Sequence, residues 1–169
     1  MPAGLKQSSA VVPIGFAVTE SAADTFTQAQ VDLNLSPLDR EVFVVLAVNI
    51  DSDFPTNRTD NITRVRSQLT TTSQTDIVTL QNANCLARLT YETANIGDTC
   101  AATFSSQSLE SPPATLEYIG IIATNDFFVG VKGTSNGQVK SMSGKLYGYR
   151  AIASADIYAA LVQSEVLSA

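Results

Sequence analysis

Apolar and polar positions alternate along most of this chain with a period of two, the spacing of a half-buried β-strand. Val31, Leu33 and Leu35 are separated by Asp32 and Asn34, and across residues 63–72 Val65 and Leu69 stand among Arg64, Arg66 and Gln68. Residues 11–19 read as a first strand, placed at an edge or a strand start by Pro13, which cannot donate to a ladder. Residues 41–51 depart from the alternation. Val42, Val44, Leu46, Val48 and Ile50 make one apolar face, and Phe43, Val45 and Ala47 make the other. A strand wet on one side does not read this way. Either it lies between two packed layers or its outer face is an interface.

Shorter strands are expected at 77–80 and 86–91. Residues 116–124 and 127–132 read as a hairpin across Asn125 and Asp126, and Asn136-Gly137 marks a second tight turn before a strand at 139–150. Ser36-Pro37-Leu38-Asp39 is a turn signal. Residues 20–27 and 51–60 read as polar loops, and 93–114 as a long ordered loop holding a short strand near 101–104. Gly144 and Gly148 fall inside a strand pattern, where they mark bulges or close packing. The tail changes period. Ser154 is a good N-cap, Asp156 sits in the first turn, and Ile157, Tyr158, Leu161, Val162 and Glu165 recur at helical spacing. This short helix either covers the open end of the sheet structure or clamps a neighbouring subunit.

About nine short strands with frequent turn signals predict an all-β sandwich with a short C-terminal helix. A single jelly roll is the expected topology, since it is one way such a chain manages its sheet edges. The expected organisation is an extended N-terminal arm at 1–10, a sandwich at 11–152, and a helix and tail at 153–169.

Composition adds a surface to this body. Of 169 residues, 44% are hydrophobic and only 15% charged, against about 25% charged in average globular chains. Ser, Thr, Asn and Gln take the place of ions, which suits a surface later covered by copies of itself or the neutral polar surface of a secreted or halotolerant β-protein. The net charge is −6 and the ten basic residues are scattered. Their one local concentration is Arg58, Arg64 and Arg66, with Asp60 between them. Phosphate neutralisation needs clustered Lys and Arg, so no direct nucleic-acid binding is expected. No transmembrane segment is expected either, as no stretch approaches about 20 apolar residues. The first residues lack a signal-peptide pattern, with Lys6 followed by Gln7, Ser8 and Ser9, and with Pro13 and Gly15 interrupting the apolar run.

Candidate chemistry is sparse. The chain has no histidine, which removes the base from Ser-His-Asp and Cys-His arrangements. Paired carboxylates could hydrolyse glycosides, with Glu110, Glu117 and Asp126 as candidates, but there is no Trp to stack on a sugar. Asp51, Ser52, Asp53 and Asp60 offer oxygens to a calcium ion without the EF-hand glycine and glutamate. Asn57-Arg58-Thr59 and Asn61-Ile62-Thr63 fit the N-glycosylation pattern. Cys85 and Cys100 are the two cysteines, either buried thiols or a disulfide, and zinc would lack a set of four ligands. A sugar-binding sandwich would need an exposed aromatic platform, for which Tyr91, Tyr118, Tyr147 and Tyr149 are the candidates. No catalytic, cofactor or metal site is assigned, and the chain reads as a structural protein rather than an enzyme.

Several phrases carry a resemblance. They are residues 11–18 (VVPIGFAV), 33–38 (LNLSPL), 41–51, 116–125 (LEYIGIIATN) and 157–165 (IYAALVQSE). Together they resemble small β-rich structural proteins of marine viruses, a likeness of phrase and texture that spans most of the chain. The resemblance implies a capsid subunit, a single jelly roll of the kind that tiles tailless icosahedral shells. It implies a homo-oligomer of many copies in the virion, alongside other virion proteins. The basic arm with which many RNA-virus jelly rolls hold their genome is absent, which implies a shell separated from nucleic acid by a membrane or another protein layer. The long spine helix of tailed-phage shell proteins is absent too. A phage tail-tube or capsid-decoration protein, and a carbohydrate-binding sandwich, stand as alternatives.

Overall fold

The computed structural model of the chain describes residues 4–95, 97, 101–107 and 116–167. Within these, ten strands precede one helix. They are β1 (Leu5–Gln7), β2 (Val12–Thr19), β3 (Thr27–Asp32), β4 (Glu41–Ser52), β5 (Ile62–Thr70), β6 (Cys85–Asn95), β7 (Ala101–Gln107), β8 (Gly120–Ile122), β9 (Asp126–Thr134), β10 (Ser141–Ala153) and α1 (Ala155–Leu167).

The strands form two antiparallel sheets. In one, β10 is flanked by β4 along one side and by β2 and β1 in turn along the other, with β8 beyond β4. The other runs β3-β9-β5-β6-β7. Setting β1 and β7 aside leaves eight strands with a nested pairing: β2 with β10, β3 with β9, β4 with β8, and β5 with β6. That is a long antiparallel ribbon doubled back at β5–β6. Rolling it brings β4 against β10 and β5 against β9, which makes the fold an all-β jelly roll.

The core lies between the sheets. Phe16 and Val18 from β2, Phe43, Val45, Val48 and Ile50 from β4, Val65 and Leu69 from β5, and Phe127, Val129 and Val131 from β9 are buried there. The Phe16 and Phe127 rings meet edge to face, with centroids 6.0 Å apart.

The doubly apolar strand has two causes. The β4–β10 register slips at Tyr147/Gly148, so that Gly148 pairs with Val45 while Tyr147 pairs with Ala47, and Leu46 is left over as a bulge. One extra residue shifts the parity of everything beyond it. Phe43 and Val45 therefore face the core before the bulge, and Val48 and Ile50 after it. Val42 and Val44 point the other way. They join Leu5, Ala123, Tyr149, Ala151 and Ala153 in a second apolar cluster, against which α1 packs Ile157, Tyr158, Leu161 and Val162. The strand lies between two packed layers. Its outward valines are covered by α1, which rests on the outer face of the sheet rather than over an open end. Ser154 stands at the N-cap, its carbonyl accepting the first helical bond from Tyr158 N at 2.9 Å.

Several expected elements differ. The hairpin at 116–132 does not form, because β8 joins the first sheet and β9 the second. Asn125 between them accepts from Leu33 N through its carbonyl and from Leu35 N through Oδ1, and so serves a crossover. Asn136-Gly137 likewise links β9 to β10 across the sheets. The strand expected over 31–35 stops at Asp32, whose carboxylate accepts from Asn34 N while Asn34 turns to φ 51°. Leu33 and Leu35 still enter the core. Residues 77–80 are not a strand. The Gln68 side chain accepts from Val78 N and donates to Asp76 O, so this segment lies on the outer face of the second sheet instead of extending a ladder. Within 93–114 the short strand expected near 101–104 forms as the longer β7, which pairs from Ala101 to Gln107 with β6, and β6 itself continues to Asn95 where loop was expected. The arm at 1–10 contributes β1, which buries Leu5.

Candidate functional site

The residues considered for chemistry are dispersed by the fold. Glu110 and Cys100 lie outside the described residues. Glu117 sits in the segment before β8, whereas Asp126 opens β9 in the other sheet and accepts from the Gln30 amide. Asp51 is exposed on the outer face of the first sheet, Asp53 accepts from Ser141 N at 2.8 Å, and Asp60 from Gly97 N at 2.8 Å. Among the described residues no group of His, Cys, Asp and Glu could hold a metal ion. Cys85 is a buried free thiol, raised above its ordinary pKa by burial. Thr63, the threonine of the Asn61-Ile62-Thr63 glycosylation triplet, is buried and donates to Thr56 O.

Nor do the tyrosines form a platform. Tyr91 packs on the main core and stacks on Phe54 at 4.7 Å, Tyr118 and Tyr149 belong to the cluster beneath α1, and Tyr147 lies mid-strand on β10. On the outer face of the second sheet Arg64 pairs with Glu92 and Lys132 with Asp76, while Arg66 bonds Thr134 Oγ1; in the loops beyond the strands Arg58 bonds Ser135 O. Lys132 holds the Asp76 carboxyl below its usual value.

What the structure does concentrate is rigidity at one end of the sandwich. Buried Glu20, just after β2, accepts from Gly133 N at 2.6 Å and from Lys140 N at 2.8 Å. Asp24 accepts from Asn136 N, and the Asn136 amide in turn bonds Thr56 N and Arg64 O. Lys140 reaches Phe54 O at 2.9 Å. Three loops, 20–26, 53–61 and 135–140, are thus cross-braced by side chains. Buried polar groups of this kind fix geometry because each would be costly unpaired. No pattern in the sequence separates Glu20 or Asp24 from solvated loop acids, so reading the chain alone missed them.

A second anchor holds α1. The Glu165 carboxylate accepts from Ala123 N, Thr124 N and Thr124 Oγ1 at 2.9, 3.1 and 3.0 Å, tying the last helical turn to the β8–β9 crossover. Burial pushes this carboxyl above the ordinary value of 4.5, while the donors pull it part of the way back. A raised folded-state value favours the fold at low pH, and that contribution is lost as pH rises through it. Gln at this position keeps an acceptor for both amides and does not titrate. Wild type is therefore expected to lose stability relative to Glu165→Gln as pH rises above 4.5, and then to level off. Urea unfolding from about pH 4 to pH 8 measures the difference; a pH-independent gap would contradict the assignment.

The remaining surface offers edges. Residues of β7 are exposed on both faces apart from half-buried Ala102, and the strand touches the rest of the sheet through β6. Phe104 is 59% exposed. A shallow depression of about 260 Å³ lies beside it, lined by Leu80, Arg88, Thr90, Ser106 and Gln107. The run 101–107, free of Gly, Pro and charge, is the sequence signal for this strand. Among the described residues no helix is long and apolar enough to cross a membrane.

No protein-family model matches the chain, and no curated protein matches it. Solved structures give similarity in three dimensions. The unassembled pentamer of Merkel cell polyomavirus VP1 superposes with a TM-score of 0.41 at 6% identity, over 86% of this chain and 97% of that one. Apo chimpanzee polyomavirus VP1 gives 0.41 at 6% identity, over 88% and 99%. Turnip yellow mosaic virus gives 0.30 at 10% identity, over 87% and 95%. These superpositions are loose, and the jelly-roll assignment rests on the nested strand pairing.

Proposed function

We propose that this chain is a viral capsid subunit, many copies of which assemble into an icosahedral shell. The observation that carries the reading is the jelly roll itself, with three loops cross-braced at one end and a helix sealing the outer face of one sheet. Jelly rolls serve as capsid, lectin and cupin domains. The dispersed tyrosines disfavour the lectin use, and the absence of histidine removes the imidazole ligands that metal chemistry most often draws on. In this reading the chain is a virion component and not an enzyme. It meets copies of itself and other virion proteins. Arg64 and Lys132 on the outer face of the second sheet are already paired with Glu92 and Asp76, which disfavours their use on genome phosphates.

Electron microscopy and light scattering of the purified chain test the reading. Closed particles are the expected result. A clean monomer at every concentration and salt overturns it, and rings or tubes would transfer the chain to the tail-tube alternative.

A further inference from the structure

We propose that β7 is a self-pairing edge: the β7 strands of two copies join antiparallel about a two-fold axis at Phe104, making one continuous sheet. The inference rests on the assembly reading above and names the contact.

A free strand edge is a row of unpaired amides and carbonyls, and proteins blunt such rows with short strands, proline, charge or a covering segment. The other outermost strands among the described residues show such devices, and the stretch of β4 beyond β8 carries the Leu46 bulge and exposed Asp51. β1 and β8 are three residues long, and β1 carries Lys6. β2 contains Pro13. β3 ends in Asp32, and its Gln28 side chain bonds Ser73 and Gln74 of the neighbouring loop. β7 has seven residues, Ala101 to Gln107, with no charge, no proline and no glycine. Among the described residues β7 has a ladder with β6 alone, and all of its residues but half-buried Ala102 are exposed. A strand in that position gains a second ladder from a partner strand.

The strand's own symmetry selects a second copy as the partner. Phe104 is its central residue, so an antiparallel two-fold sets Phe104 against Phe104, Thr103 against Ser105, Ala102 against Ser106 and Ala101 against Gln107. No like charges meet, the two rings form an aromatic cross-strand pair, and the hydroxyls face each other. Glu92 lies opposite Phe104 on β6 and is occupied by Arg64, so the row through the axis brings no unpaired carboxylate to the junction.

The test uses Phe104→Asp and Phe104→Lys, each of which places a charge against itself on the axis. Since the Phe104 ring is exposed, both variants are expected to keep the wild-type circular dichroism and melting profile. Sedimentation should show the dimer Kd raised at least about tenfold in each variant, and an equimolar mixture should recover a dimer through the Asp–Lys pair. Particles formed equally by wild type and Phe104→Asp would overturn β7 pairing and leave the shell reading standing. A wild-type dimer that Phe104→Asp abolishes, without particles, would uphold the pairing and remove the shell. A wild-type monomer throughout overturns both.

Discussion

Phe127→Ala is expected to lower the free energy of unfolding by about 3–5 kcal/mol, the usual cost of removing a buried aromatic ring from a core that cannot collapse around the gap. Phe127 sits near the start of β9 with no exposed surface, edge-on to Phe16 of the opposite sheet at an interplanar angle of 81°. The pair joins β2 to β9 across the sandwich. Removing one ring leaves Phe16 without its partner as well as opening a void among Leu33, Val129 and their neighbours. Urea unfolding followed by circular dichroism gives the number, read as a lower midpoint at unchanged slope. A loss below about 1 kcal/mol would mean that the two sheets do not close on each other there.

Adding a methyl group to β10 should cost nearly as much. At Gly144 a Cβ would lie 2.2 Å from the Asn49 carbonyl oxygen and 2.6 Å from the Phe16 ring. At Gly148 it would lie 2.3 Å from the Val44 carbonyl oxygen and 2.4 Å from the Phe43 ring. Both glycines stand on the core face of β10, and each leaves room for the far edge of a phenylalanine ring against the strand. Overpacking of this kind typically costs about 1–3 kcal/mol, and the backbone oxygens make relief by rotamer change unavailable. Gly144→Ala and Gly148→Ala are each expected at the upper end of that range. The double variant should approach the sum, as the two methyls press on different rings. Gly15→Ala is the internal control, because nothing lies within 4 Å of its Cβ position. If all three substitutions behave alike, the ring-over-glycine packing is wrong.

Much of this packing was legible in the chain. The pattern of 11–19 became β2, with Pro13 on an edge, and the pattern of 139–150 became the greater part of β10. Gly144 and Gly148 were marked as points of close approach, and Ser154 as the start of the tail helix. These features are local: a proline's missing amide, a glycine inside a strand pattern and a capping serine act within their own few residues. One long-range feature was misread and another was left open, for one reason. Residues 116–132 look like a hairpin because Asn-Asp between apolar runs is what a tight turn requires, yet Asn125 spends its polar groups on Leu33 and Leu35, ninety residues away in the chain. The two faces of 41–51 suggested an exposed interface as readily as a buried layer, and what covers Val42 and Val44 is a helix more than a hundred residues downstream.

The candidate surface was harder still to read. The chain places a short strand near 101–104 but not the full length of β7, because both faces of β7 are wet and the periodicity that reveals a half-buried strand has little to report there. Glu20 and Glu165 resemble any solvated acid until the amides that surround them are known.

By itself the sequence determined that this protein is a β-sandwich with a terminal helix and without a histidine-based catalytic set. Those properties follow from residue period, capping and composition, which act locally or not at all. Tertiary structure alone decided which strands pair, how the Leu46 bulge exchanges the faces of β4, and that α1 closes the outer valines. It also left β7 as the unblunted edge among the described residues. Each of these depends on which distant segment meets a given face, and alternation records that a face is apolar without recording what will cover it.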